Sequence, residues 1–311
     1  MGMYITKDYK GNPDWNIAGL FTHDSFWIPF LSELKNNDVN IPIQYIYGTP
    51  KGIEAGGGRN ATPPENFSGM TNKQIFDTYM DFGVGIRLSL SNHLLKPEQY
   101  EEKKLNDILR YLNEFPNNGV IVSDDNFNDY IKDKYSNLQR ICSVIRPAID
   151  IGWGNEDAEY YNNLCKKYDI VVVNCGFAKE IDKINQLQYK DQIEVLVNTR
   201  CTLNCKLAKM HYNIVAEKYL MNEYDDVKDL ELKTREGILW DKCMEIKRKN
   251  IFDGANFYTE EIQQLLDNGI HHFKLEGRNW PMGEILRDIG YYICDEIMLA
   301  RVCINGIGMA I

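Results

Sequence analysis

Residues 193 to 212 read Ile193-Glu-Val-Leu-Val-Asn-Thr-Arg200-Cys-Thr-Leu-Asn-Cys205-Lys-Leu-Ala-Lys-Met-His211-Tyr212. The segment Ile193 to Val197 has the length and apolar character of a buried strand. Polarity then sets in, and Cys201 and Cys205 follow with three residues between them. His211 falls on what reads as the next helix. A strand that ends in two cysteines and a histidine is a place where a metal or a cluster can be held.

The same order, apolar strand, polar end, amphipathic helix, repeats on both sides of this stretch. Upstream, Trp15 to Phe21 reads as a strand ending at Thr22-His23-Asp24, with Ser25 as the cap of a helix from Phe26 to Leu34. Ile43 to Tyr47 is a second strand. It runs into a glycine-rich loop, Gly48 to Arg59, which can cradle an anion with Arg59 and backbone amides but lacks the lysine and spacing of a P-loop. Thr71 and Gln74 have the spacing of a capping box for a helix to Phe82. Gly83 to Ser89, Gly119 to Ser123, Arg140 to Ile145 and Ile170 to Val173 are further strands. Asp124-Asp125, after one of them, suits either a helix cap or a catalytic pair. Downstream, residues 221–267 read as an insertion, His272 to Arg278 as the eighth strand and its end, and Pro281 to Leu299 as an apolar helix.

Eight strands alternating with helices predict parallel β-α units closed into a (β/α)8 TIM-barrel-like fold. The expected organisation is a single barrel domain over residues 1–311, with residues 221–267 inserted before the last strand. Active sites of such barrels lie at the C-terminal strand ends. There the sequence places His23, Tyr47, Asn92, Asp124, Arg146, Asn174, Asn198, Glu276 and Arg278.

Composition narrows the classes of function. The 311 residues are 44% hydrophobic and 26% charged, enough for a large core. A formal net charge of -10 argues against nucleic acid as the main partner, because such binders need a basic surface. Met1 to Lys10 has no apolar signal core, and no run reaches the length of a membrane helix, so a cytoplasmic protein with no membrane partner is expected. Of eight cysteines, Cys142, Cys294 and Cys303 sit in apolar runs as small buried hydrophobes, whereas Cys201, Cys205 and Cys243 lie among polar residues. Three cysteines with His211 would also satisfy tetrahedral zinc. Neither His-Glu-x-x-His nor Gly-x-Ser-x-Gly occurs.

Lys274 and Glu276 share one side of the eighth strand, the barrel interior, where buried charges must find partners. Arg278 suits bidentate recognition of a carboxylate, and Glu276 suits holding a proton or orienting a ligand. Arg59 and Arg278, from the second and eighth units, are expected to face one cavity and receive an anion.

Three segments carry a family resemblance. Val-Asn-Thr-Arg-Cys-Thr-Leu-Asn-Cys at 197–205, with His211-Tyr212 after it, resembles the cysteine motif of the collagenase-like peptidase family, number thirty-two in the class of unknown catalytic type. His-His-Phe-Lys-Leu-Glu-Gly-Arg at 271–278 resembles its C-terminal signature, and Ile46-Tyr47-Gly48 with Gly58-Arg59 resembles a segment of its divergent branch. The resemblance spans most of the chain from residue 15 onward.

Better-understood members of that family imply more than the peptidase label does. They imply a barrel holding an iron–sulfur cluster, 4Fe–4S, through four cysteines. The implied activity is oxygen-independent hydroxylation of a small aromatic or anionic substrate, a quinone precursor ring in one branch and RNA pyrimidines in others, with prephenate as oxygen source. On this resemblance Cys201 and Cys205 match the paired ligands and Cys243 the third. Cys175 is chosen as fourth from its place at a strand end. Glu276, Arg278 and His211 become the catalytic candidates, and Arg59, Tyr47, Asn92 and Asn198 the substrate-binding ones. The alternatives are a peptidase or other hydrolase, as the label says, and a non-catalytic subunit that keeps the fold beside a paralogous protein partner.

Overall fold

The computed structural model describes residues 7–36, 42–58, 69–221, 226–249, 254–278 and 280–294. Arg59, Cys303 and the C-terminal part of the helix expected to Leu299 lie outside the described residues. The strands are β1 (Asp14–Ala18), β2 (Ile43–Gly48), β3 (Gly85–Ser89), β4 (Gly119–Val122), β5 (Gln139–Cys142), β6 (Ile170–Val173), β7 (Ile193–Leu196), β8 (Asn198–Thr202), β9 (Gly254–Asn256) and β10 (His272–Lys274). The helices are α1 (Asp24–Asn36), α2 (Asn72–Asp81), α3 (Pro97–Tyr100), α4 (Lys103–Asn113), α5 (Asp125–Lys134), α6 (Arg146–Asp150), α7 (Ala158–Cys165), α8 (Cys175–Ala178), α9 (Ile181–Asn185), α10 (Ala208–Tyr219), α11 (Asp226–Lys249), α12 (Thr259–Asp267) and α13 (Met282–Tyr292).

Eight strands close into one parallel barrel in the order β1-β10-β7-β6-β5-β4-β3-β2. The fold is the expected α/β, TIM-barrel-like one. Period-two alternation along the strands builds it. Ile17, Ile46, Val120, Val122, Val171 and Val173 point outward into the main core under the helices. Their neighbours Ala18, Tyr47, Ile121, Ile170 and Val172, with Ile141, form a second cluster. That cluster fills the inside of the barrel.

Local signals set the helix starts. At α2 the Gln74 amide donates to Thr71 Oγ1 at 3.3 Å and the Thr71 amide donates to Gln74 Oε1 at 2.9 Å, a complete capping box. Thr71→Ala is expected to cost about 1 kcal/mol of stability, read by urea denaturation; an unchanged midpoint would mean that the box contributes nothing. Asp124 is a cap, its Oδ1 accepting from the Phe127 amide at 2.8 Å. Ser25, expected as the cap of α1, is inside that helix: α1 begins at Asp24, whose Oδ1 accepts from the Ser25 amide at 2.9 Å.

The largest departure from the sequence reading is β8. The segment after Val197 is an additional strand outside the barrel, paired antiparallel with β9. Within residues 221–267, α11 is a 24-residue helix, while α12 buries Ile262, Leu265 and Leu266 in the main core. No helix of the described residues is long and apolar enough to cross a membrane.

Candidate active site at the barrel mouth

The strand ends open into a cavity of about 420 Å³. It is lined from below by Tyr47, Ser89, Ile121, Leu196 and Lys274, and from the rim by residues of β8, α10, α11 and the segment after β10. Cys175, Cys201, Cys205, Cys243, His211, Glu276 and Arg278 all line it. Sequence-distant candidates are thus brought together. Asn92 and Asn198 are not among the lining residues.

The cysteine wall is built locally. Cys201 sits on β8 and Cys205 in the turn before α10, where Asn204 adopts φ 50°. Asn174 Nδ2 donates to Asn204 Oδ1 at 2.9 Å and pins that turn to the end of β6. Gly176 makes the approach possible, since a Cβ there would lie 2.2 Å from Asn204 Oδ1. The Cys201 thiol hydrogen-bonds to the Cys205 sulfur. That bond, with the Leu207 and Ala208 amides and the Lys247 charge, outweighs burial and lowers the Cys205 thiol below its ordinary value. The same bond, together with burial, raises Cys201. Cys243 of α11 is near enough to act on Cys201 electrostatically.

Cys175 behaves differently. It is buried, its Sγ donates to the Leu196 carbonyl at 3.1 Å, and burial pushes it up to about 12. Its hydrogen is already engaged with the backbone of the neighbouring strand. Among the described residues, no three His, Cys, Asp or Glu side chains are already gathered round one metal-sized point. By donor chemistry, Cys201, Cys205 and Cys243 suit a thiolate-bound metal group: they are three thiols on one wall, one of them favouring the thiolate. Cys175 stands apart from that set.

The opposite wall follows from the end of β10. Arg278 is buried, with Nη1 donating to Thr49 Oγ1 at 2.7 Å and Nη2 to the Gly57 carbonyl at 3.1 Å. The glycine-rich loop therefore holds the guanidinium at the cavity edge. Gly57 is required there, since a Cβ would come within 2.7 Å of the Ser91 backbone. Glu276 Oε1 accepts from the Arg200 amide at 3.2 Å. The Arg200 guanidinium lies 3.7 Å from the Trp280 ring and pairs with Glu284.

The remaining candidates have structural bonds. Asn198 brackets Glu276, accepting from its amide at 2.7 Å and donating to its carbonyl at 3.0 Å, and also donates to Asp288 at 2.8 Å. Asn92 donates to the Glu54 and Ala216 carbonyls and accepts from the Leu94 amide. Tyr47 donates its hydroxyl to the Leu275 carbonyl at 3.1 Å. His211 stacks on Tyr212, which meets Trp153 edge-on. His23 Nε2 is 3.2 Å from the Gly277 carbonyl, a structural contact.

Beneath the cavity lies a charged group of which the sequence placed only Lys274 in the interior, without its partners. Arg87 of β3 is 1% exposed and Glu194 of β7 1%. Arg87 Nη1 donates to Glu194 Oε2 at 2.5 Å and Nη2 to Gln139 Oε1 at 2.8 Å, with the guanidinium carbon 3.6 Å from the Tyr45 ring centre. Lys274 Nζ lies 3.6 Å from Glu194 Oε1 and 4.2 Å from the Tyr47 ring centre. The interior partner of Lys274 is therefore Glu194. The available signal was a charged residue in the middle of an apolar strand, at Glu194 and again at Arg87.

No family model matches the chain. A protein of Methanocaldococcus jannaschii described as an uncharacterized protease is 20% identical over 193 residues, covering 61% of this chain and 53% of that protein. The chain thus spans about half the length of the curated relative it matches. A solved structure described as that of a U32 peptidase aligns with a TM-score of 0.49 at 12% identity, over 90% of this chain and 98% of that one.

Proposed function

We propose that the chain is an enzyme whose barrel mouth binds a small anionic or aromatic substrate beside a metal group held by Cys201, Cys205 and Cys243. The observation that carries this reading is the shared cavity: thiols from β8, the following turn and α11 line the same space as Lys274, Glu276 and Arg278. An iron–sulfur cluster, when bound, would pass single electrons from the substrate toward an acceptor, as an oxygen-independent hydroxylation, a two-electron oxidation of the substrate, requires. The protein's own groups supply the rest. Arg278, fixed by Thr49 and Gly57, receives the anion. Glu276, held against the Arg200 amide, orients the ligand or carries a proton. Ile121 and Leu196 give the floor apolar surface for a ring to rest on.

A second reading has its own observation. His211 lines the cavity with the three cysteines, and three thiolates with one imidazole are a zinc set. One experiment separates the two: anaerobic purification, with iron, acid-labile sulfide and zinc measured on the parent and on Cys201→Ser, Cys205→Ser, Cys243→Ser and Cys175→Ser. Iron and sulfide in the parent, lost about tenfold or more in the first three variants, is the expected result. The Cys175→Ser protein should keep its metal. Zinc without sulfide would favour the second reading, and a parent free of both would end the metal proposal.

A further inference from the structure

Lys274 stands at the cavity floor, at the C-terminal end of β10, and is 6% exposed. There Lys274 and Arg87 share one carboxylate, Glu194. The sharing is unequal. Arg87 takes its oxygen at 2.5 Å, whereas the Lys274 amine is 3.6 Å from the other, beyond good hydrogen-bond range. The amine is thus the loosely held member of the group, and it is the one that lines the cavity. Arg278 lines the same cavity close enough to disfavour an ammonium at Lys274. Burial, more than any neighbour, also favours the neutral amine.

A neutral lysine amine in an enclosed site is a nucleophile toward carbonyl carbon. A fixed guanidinium beside it selects a carbonyl compound that also carries a carboxylate. Resting on the reading of the mouth as a substrate site, we propose that Lys274 condenses with the keto group of a small 2-oxo acid whose carboxylate is received by Arg278. The Lys274 nitrogen attacks the carbonyl carbon and a C–N bond forms. The nitrogen's protons pass to the former carbonyl oxygen, the C–O bond breaks and water leaves. The product is an imine, protonated at nitrogen from solvent. Neither an oxidant nor a reductant is consumed.

The test uses the full chain with pyruvate and phenylpyruvate as probes, sodium borohydride as trap, and intact-mass and peptide mapping as readouts. The expected result is one reduced adduct per chain, mapped to Lys274, absent in Lys274→Met and at least tenfold weaker in Arg278→Lys at subsaturating probe. A parallel arm measures calorimetric binding of phenylacetate, which has the carboxylate but no keto group. Phenylacetate binding without an adduct overturns the Lys274 proposal and leaves the anion site standing. Absence of both overturns the two together. An adduct mapped to other lysines in the parent also overturns it, whatever the variants do.

Discussion

Glu194→Ala is expected to lower the unfolding free energy by about 3–5 kcal/mol, because it strands the buried Arg87 cation. The carboxylate accepts from Asn16 Nδ2 at 3.3 Å through each oxygen and neutralises Arg87 at 2.5 Å and Lys274 at 3.6 Å. Burial alone would raise its pKa, but the Arg87 and Lys274 charges outweigh burial and hold it below the ordinary value. The sign follows from the depressed folded value. The stabilisation is complete above the unfolded carboxylate pKa of about 4.3 and is lost as pH falls through the folded one. Urea denaturation at neutral pH reads the loss. A change under about 1 kcal/mol would mean that the interior group is bridged by water and contributes little.

Lys274 makes the opposite contribution, and its signature is a stability that rises with pH. Burial first, then the Arg87 and Arg278 charges, bring the amine down to about 8, against the pull of Glu194. The unfolded lysine titrates near about 10.4. Between those values the unfolded chain binds a proton that the native one does not, so unfolding free energy increases with pH. The penalty is fully present below the folded value and is relieved by about 3 kcal/mol across the window. The parent should therefore gain on Lys274→Met between pH 8 and pH 10 in paired denaturant titrations. Parallel curves for the two proteins would show an amine that stays charged in the fold.

The barrel was readable because each of its strands is a short apolar run closed by polar residues, and Ile43 to Tyr47 and Ile170 to Val173 needed little else. Periodicity placed β1 and β5 but drew them too long, since Leu20, Phe21 and Ile145 are buried after their strands have ended. A burial signal cannot tell the end of a strand from an apolar turn packed beneath a helix. β8 escaped for a related reason. Its partner is β9, far along the chain, and a two-stranded pairing outside the barrel leaves no apolar period in Asn-Thr-Arg-Cys-Thr.

At the site, residue type gave the cysteine pair, Glu276 and Arg278 their places on the cavity. It could not show that Asn92 and Asn198 spend their amides on backbone groups. Hydrogen-bond partners so remote in sequence leave no trace in composition or spacing. Lys274 was legible as an interior charge, but its meeting with Glu194 and Arg87 was hidden in the same way, because charged residues on three strands meet only once the barrel closes.

The β8–β9 pairing divides the mouth by origin. The thiols at 201, 205 and 243 come from chain that leaves after β7 and returns before β10, two strands that are already hydrogen-bonded neighbours. The amine and guanidinium come from β10 and the turn that follows it. Closure entropy grows only logarithmically with the length of such an excursion, about 0.6 kcal/mol for each doubling. Added length in the parts of that excursion outside the core therefore costs the scaffold little closure entropy, while Lys274 and Arg278 are placed by barrel closure itself.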